Sequence, residues 1–412
     1  TVIRNDGEKF DIPISKLSQA DQLRLRARAI GPAISEAQAM PATSPDYEKL
    51  NTILGINLWS DDNLWDDTPE DVAVRLRWPE ESATANQSSY RVYFEAKQLI
   101  CGAIPYTAVL YGQNRQVDHI SIMFANIGDS TSSTIGHNQR KQLKAINDAI
   151  DTDSKKIEDA FIPLGEAERQ SGGTGNAMKE RALRWDVGNT SFWLAAVKDE
   201  YLALRIMPIE LADHWGRPEK ISNSNSKKMA AANVAANKFE DVIIENIPMV
   251  DQGPKGYCVP ATMERCLRYM GIRADMYTLA MAGNTNLGGG TTASGIISGT
   301  RKYVRRAGRK MQAVSGDISI RKVKSYIDKG QPLLWFLYST PSYNDLCNTI
   351  TQKRRKATAL EDWKKTLKIL LKKTPIPQKN GAYAHICLVV GYNANTDEIA
   401  VSDSWGPEYE LR

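Results

Sequence analysis

The sequence predicts an α+β protein of more than one domain, on three observations. At 412 residues the chain exceeds the ~100–200 residues of an ordinary domain. Strand-like and helix-like patterns mix as far as Asp213, then a polar run, Ile221-Ser-Asn-Ser-Asn-Ser-Lys-Lys, separates them from a C-terminal stretch whose helices precede its last strands. Charge divides in a similar way: from Val242 onward there are 25 Lys/Arg against 14 Asp/Glu, +11, whereas the preceding 241 residues hold 28 against 34, −6. These boundaries give a fragment of a small β module at 1–30, an α+β accessory domain at 47–215, a linker with a short helix at 216–241 and a C-terminal domain at 242–412. Opposite charge on the two large regions predicts that the N-terminal one docks on the C-terminal one.

Composition supports ordinary globular packing: 42% hydrophobic, 25% charged, with 28 Gly and 18 Pro. No stretch approaches the ~18 consecutive apolar residues of a membrane span, so none is expected. Thr1 is not an initiator Met, and the natural N-terminus is expected to be absent. Five cysteines, Cys101, Cys258, Cys266, Cys347 and Cys387, are too few for a disulfide framework and leave at least one thiol unpaired. With only His119, His137, His214 and His385 available, no Cys/His group has zinc-ligand spacing, so neither a metal nor a cofactor is expected.

Element by element, Asn5-Asp-Gly followed by Phe10, Ile12 and Ile14 is a hairpin pattern, and the Pro-rich stretch 31–46 is a linker. Thr68-Pro-Glu-Asp starts a helix: a Thr cap, Pro at the first helical position, then acids. Strands are expected at Tyr90–Phe94, Tyr106–Tyr111, His119–Phe124, Leu183–Trp185, Ser191–Val197 and Tyr201–Met207. Leu143, Ile146, Ile150, Ile157, Phe161 and Leu164 recur at helical spacing, with a break expected near Asp151-Thr-Asp-Ser. That tetrapeptide lacks the later acids and the Gly of a calcium loop. His119, His137 and His214 are read as structural or surface residues, and a short helix is expected from Met229 to Phe239.

The chemistry concentrates in Asp251-Gln-Gly-Pro-Lys-Gly-Tyr-Cys-Val-Pro-Ala-Thr-Met-Glu-Arg-Cys. A turn-rich loop delivers Cys258 to the start of a helix that tolerates Pro260 in its first turn, buries Val259, Met263, Leu267 and Met270 as a stripe, and ends at Gly271. The positive end of the helix dipole favours a thiolate there, which makes Cys258 the candidate nucleophile; Cys266 is read as a core residue. A nucleophilic cysteine needs a base and a group to orient it. His385 lies in Ala382-Tyr-Ala-His-Ile-Cys-Leu-Val-Val-Gly-Tyr, and a second strand, Ile399-Ala-Val-Ser, delivers Asp403-Ser-Trp-Gly. Adjacent strands joined by the intervening turn would bring His385 and Asp403 together.

These three motifs, in this order, resemble the papain-like cysteine peptidases over about residues 242–412. Cys-x-Pro-Ala, and Asp rather than Asn in the last motif, are more similar to the C39-like branch. The resemblance implies a papain-like domain with a helical and an antiparallel β subdomain, acting on a peptide or protein substrate. It assigns Cys258 as nucleophile, His385 as general base, Asp403 as the residue orienting it and Gln252 as side-chain donor of the oxyanion hole. Trp405 either shields the His385–Asp403 contact or packs as a core residue. Val259 stands where the papain pattern has an aromatic residue, so substrate preference does not carry over. An inactive peptide-binding or scaffolding relative, and a transglutaminase or amidase on the same triad, are the alternatives. Residues 1–24 also resemble the end of an SH3-like barrel module of bacterial enzymes, and a bacterial protein exported from the cytoplasm is expected.

Two further features complete the reading. Gly288, Gly289 and Gly290 are expected either to let an extended substrate backbone approach closely or to form a purely structural turn; the run lacks a phosphate-loop ending and no clear amphipathic helix is expected after it. Basic runs at Arg301–Lys310 and Lys353–Lys373 are solvated faces without aromatic platforms, so no nucleic-acid partner is expected.

Overall fold

The protein is described from a computed structural model that covers residues 2–3, 9–10, 46–60, 63–95, 97–128, 139–254, 256–287, 290–314, 316, 318–375 and 377–412. Thr1–Ser44 and Pro45–Arg412 are two compact units. In the first, β1 (Val2–Ile3) pairs antiparallel with β2 (Lys9–Phe10), Val2 opposite Phe10. The remainder of the expected hairpin, the barrel resemblance, the proline-rich stretch, His137, Gly288 and Gly289 lie outside the described residues.

The second unit begins with two short capped helices. Asp46 accepts from the Lys49 amide to start α1 (Tyr47–Leu54), and Thr68 accepts from the Asp71 amide to start α2 (Pro69–Leu76), as its sequence predicts. Then comes an eight-stranded antiparallel sheet built from β3 (Glu80–Ala83), β4 (Gln87–Tyr93), β5 (Thr107–Gln113), β6 (Gln116–Asn126), β7 (Glu168–Gly172), β8 (Glu180–Val187), β9 (Thr190–Val197) and β10 (Tyr201–Pro208), in the order β3-β4-β5-β6-β10-β9-β8-β7. The edge strands β3 and β7 are polar, which is why alternation did not reveal them.

Helix α3 (Gln139–Ala160) runs unbroken through Asp151-Thr-Asp-Ser, where a break was expected; Ile146, Ile150 and Ile157 form one stripe that holds it to the sheet. That face also takes Ile120 and Ile122 of β6, Phe192 and Leu194 of β9, and Leu202, Leu204 and Ile206 of β10. The opposite face carries the alternate residues: Met123, Trp193, Ala195, Tyr201, Ala203 and Met207. A short helix, α4 (Ile209–Asp213), follows β10.

The C-terminal region contributes α5 (Asn223–Ala232), β11 (Val234–Ala236), β12 (Val242–Ile244), α6 (Cys258–Tyr269), α7 (Met276–Ala282), α8 (Ala293–Arg306), α9 (Ile320–Ile327), β13 (Leu333–Tyr338), α10 (Pro341–Arg355), α11 (Leu360–Lys373), β14 (Ala384–Asn393) and β15 (Glu398–Ser402). Strand β14 pairs antiparallel with β12, β13 and β15. α5 occupies the polar run, earlier than the helix expected from Met229, because the Ser222 side chain caps it by accepting from the Asn225 amide. α8 corrects another expectation: an amphipathic helix does follow the glycine run, with Ile296, Thr300, Tyr303 and Val304 buried. Among the described residues no helix is long and apolar enough to cross a membrane.

What covers the second face of the large sheet is the C-terminal region itself. Val250, Tyr257, Ala261, Met276, Tyr277 and Ala280 pack in one cluster with Met123, Trp193, Tyr201 and Met207. Buried polar groups stitch the seam: the Tyr111 hydroxyl donates to Glu264 at 3.1 Å, and Arg205, paired with Glu180 at 3.0 Å, donates to Thr278 at 3.2 Å. Apolar burial carries this contact, and an ion pair crosses the same seam: Arg273 donates to both Asp118 oxygens, at 3.0 and 2.7 Å.

Candidate active site

Cys258 is the first residue of α6, and the residue before it is anchored in the large sheet. The Tyr257 ring is fully buried; its hydroxyl donates to Asn126 Oδ1 at 2.6 Å and accepts from the Gly128 amide at 2.8 Å. α6 lies between the two sheets and is buried nearly all round, Thr262, Glu264 and Arg265 included, where the sequence predicts a single stripe. Thr262 donates to the Ile386 carbonyl at 3.5 Å, and Val259 and Met263 share a cluster with Ile386, so the start of α6 sits against the segment of β14 that carries His385.

The loop leading into α6 is held from two sides. From the C-terminal side, the Gln252 amide donates to the Ser404 carbonyl at 2.9 Å, and the Ser404 hydroxyl donates to Gln252 Oε1 at 2.8 Å, which fixes the side-chain amide by its oxygen. From the large sheet, Glu81 Oε1 accepts from the Asp251 amide at 2.7 Å, the Tyr93 hydroxyl donates to the Asp251 carbonyl at 2.9 Å, and Glu81 is paired with the buried Arg91. Gly253, at φ +72°, has no room for a side chain: a Cβ there would lie 2.7 Å from the Tyr93 hydroxyl.

His385 and Asp403 are brought together by the β14–β15 pairing, in which Leu388 faces Ser402. His385 Nε2 lies 2.8 Å from Asp403 Oδ1, with both side chains buried. The other Asp403 oxygen accepts from Arg412 at 2.6 Å; that guanidinium is 2% exposed. Trp405 stacks on His385 with ring centroids 4.5 Å apart and 26° between planes, and the Arg412 guanidinium lies over the same indole at 5.4 Å. Trp405 is therefore half-buried cover on the imidazole. Burial alone would pull the His385 pKa down, but hydrogen bonds to Asp403 and to the Cys258 thiol outweigh it and raise it to about 9. That thiol contact joins the end of α6 to the imidazole.

Burial pushes Cys101 up to about 12 and Cys266 up to about 11, and raises Cys347 and Cys387 as well. All five cysteines are free. Gly290 is at φ +94°, and its amide donates to the Gly256 carbonyl at 3.0 Å, so the end of the glycine run is tied two residues before Cys258.

Sequence reasoning did not single out Arg412, Arg265, Glu81 or Tyr93. Arg265, fully buried on α6, donates to the Pro248 carbonyl at 2.9 Å and to the Asp403 carbonyl at 2.8 Å, tying the cysteine helix to the strand end that presents Asp403. Arg265 lies off the apolar stripe, next to Glu264 and near Arg268, so periodicity gave no signal for its burial; its acceptors come from segments distant in the sequence.

Residues 244–411, which hold Gln252, Cys258, Arg265, His385, Asp403 and Trp405, match the Peptidase_C39 like family; Glu81, Tyr93 and Arg412 lie outside the matched span. No curated protein and no solved structure matches the chain.

Proposed function

We propose that the protein is a cysteine peptidase in which Cys258, His385 and Asp403 form the catalytic triad. The observation that carries this is the meeting of Cys258, from the start of α6, with an imidazole whose far nitrogen is held by a buried carboxylate. Nε2 faces Asp403, which leaves Nδ1 for the thiol. His385 takes the Cys258 proton, the sulfur attacks the substrate carbonyl, and the imidazolium then protonates the departing amine, leaving a thioester. His385 next accepts a proton from water as the water attacks the thioester, and Cys258 leaves as thiolate. Gln252, its Oε1 engaged by Ser404, presents its amide nitrogen as one donor to the tetrahedral oxyanion, with the Cys258 backbone amide as the other.

The substrate is a peptide, in keeping with the family of residues 244–411. The test is incubation of the full chain with a proteome-derived peptide library, with products read by mass spectrometry, alongside labelling by a peptide carrying a thiol-reactive electrophile. Cleavage and labelling that both vanish in Cys258→Ala support the reading. Labelling that persists in that variant, or a reactive Cys258 with no hydrolysed peptide and a new amide to an added amine, would replace hydrolysis by another chemistry.

A further inference from the structure

We propose that the cavity between the β7–β8 loop and the C-terminal half of α8 binds a compact, multiply charged oxyanion of the polyphosphate class. The cavity, of about 420 Å³, is lined by Ser171, the backbone of Gly172, Gly173 and Gly175, and the side chains of Lys179, Arg217, Lys302 and Arg306. A second cavity of about 420 Å³ shares Lys302 and Arg306 and adds Arg301 and Arg305. No carboxylate lines either one, and among the described residues none of these six cations forms an ion pair.

Three separate segments converge here, and they are fixed to one another. The Thr174 hydroxyl donates to the Gly216 carbonyl at 2.8 Å and accepts from Arg306 at 3.3 Å, while the Gly173 amide donates to the Trp215 carbonyl at 3.3 Å. Gly173 at φ +91° and Gly175 at φ +76° keep the loop free of side chains, and the Lys302 stem runs past Gly175. Arg305 and Arg306 would be accounted for by the negative end of the α8 dipole, but Lys179 and Arg217 arrive from other elements and have no such partner. Like charges gathered with no carboxylate among them repel one another, and a bound polyanion relieves that repulsion. Bare glycine backbone at the floor suits phosphoryl oxygens that approach closely, and no aromatic ring lines the cavity to stack a base.

Titration calorimetry on the full chain with inorganic tripolyphosphate tests this independently of any reaction at Cys258. Binding is expected at about 50 mM salt and to weaken roughly tenfold or more by about 500 mM, because each released counterion adds to the salt dependence. Lys179→Gln/Lys302→Gln, at exposed positions outside the hydrogen bonds that fix the segments, should lower the affinity roughly tenfold or more at unchanged Tm, while Lys365→Gln/Lys368→Gln on α11 should change it less than about twofold. An equal loss in both pairs would show diffuse attraction and overturn the site, as would no heat at millimolar ligand. An oligoglutamate peptide that binds tighter than tripolyphosphate and depends on the same two residues would reassign the surface to an acidic protein segment. ATP binding about tenfold tighter than tripolyphosphate would reveal a base contact that this lining does not provide.

Discussion

Asp403→Asn, read through the titration of His385, is the most direct probe of the site. His385 and Asp403 are 7% and 4% exposed at their side chains, so solvent screens their interaction little. Burial favours the neutral imidazole, yet the pKa stands at about 9 against an ordinary 6.5, which makes the carboxylate and the thiol together decisive. That rise corresponds to a few kcal/mol in favour of the imidazolium. Because its pKa is raised on folding, His385 stabilises the fold fully below pH 6.5, and that contribution is lost as pH climbs through about 9. Replacing Asp403 by Asn removes the charge and leaves burial opposed only by Cys258, so the His385 pKa should fall by about 2 units. The single variant also strands the buried Arg412 guanidinium, a change that costs about 3–5 kcal/mol. Asp403→Asn/Arg412→Met removes both charges and keeps the measurement on a folded protein. With imidazole-labelled histidine the chain has four resonances, and His385→Gln assigns the relevant one. NMR titration should place that resonance near pH 9 in the parent and about 2 units lower in the double variant. An unmoved midpoint would refute the partnership of His385 with Asp403.

Four more outcomes follow from the same geometry. Cys258→Ala should abolish peptide turnover and electrophile labelling, whereas Cys101→Ala and Cys387→Ala, both buried, should retain labelling and lower Tm, as thermal melts would show. Gln252→Ala should reduce kcat by roughly 10²–10³ with KM little changed, and Ser404→Ala, which frees the amide to rotate, should show a smaller loss of the same kind in steady-state kinetics. Tyr93→Phe removes the hydroxyl that holds the Asp251 carbonyl at 2.9 Å, and should cost about 1 kcal/mol in denaturant unfolding while lowering kcat more than it raises KM. Residues 226–412 expressed alone should aggregate or stay unfolded by circular dichroism and size exclusion, because Tyr257, Ala261, Met276 and Tyr277 lose the sheet face that buries them.

Much of the site was legible because it is written in local patterns. A glycine- and proline-rich turn before an apolar helical stripe places Cys258 at a helix start, and two β-rich runs around a turn place His385 opposite the segment that ends in Asp403; each depends on one continuous stretch of neighbouring chain. Capping chemistry was legible for the same reason at Thr68, and was passed over at Ser222, where the helix buries no apolar side chain to announce it. The polar strands β3 and β7 lack the alternation that marks a half-buried strand, so their pairing with β4 and β8 became visible only in three dimensions.

The sequence by itself therefore determined which residues are the candidates for the proposed chemistry and which elements present them. Only the tertiary structure decided what supports them: that the large sheet is covered on its second face by the cysteine helix, that Glu81 and Tyr93 from its edge hold the Gln252 loop, and that Arg265 and Arg412 secure Asp403. The physical reason is the range of the interactions. Periodicity shows that a face is apolar or that a charge must be satisfied, but the partner is chosen by packing between distant segments, 170 residues apart for Glu81 and Asp251, and nothing in either segment alone encodes that choice.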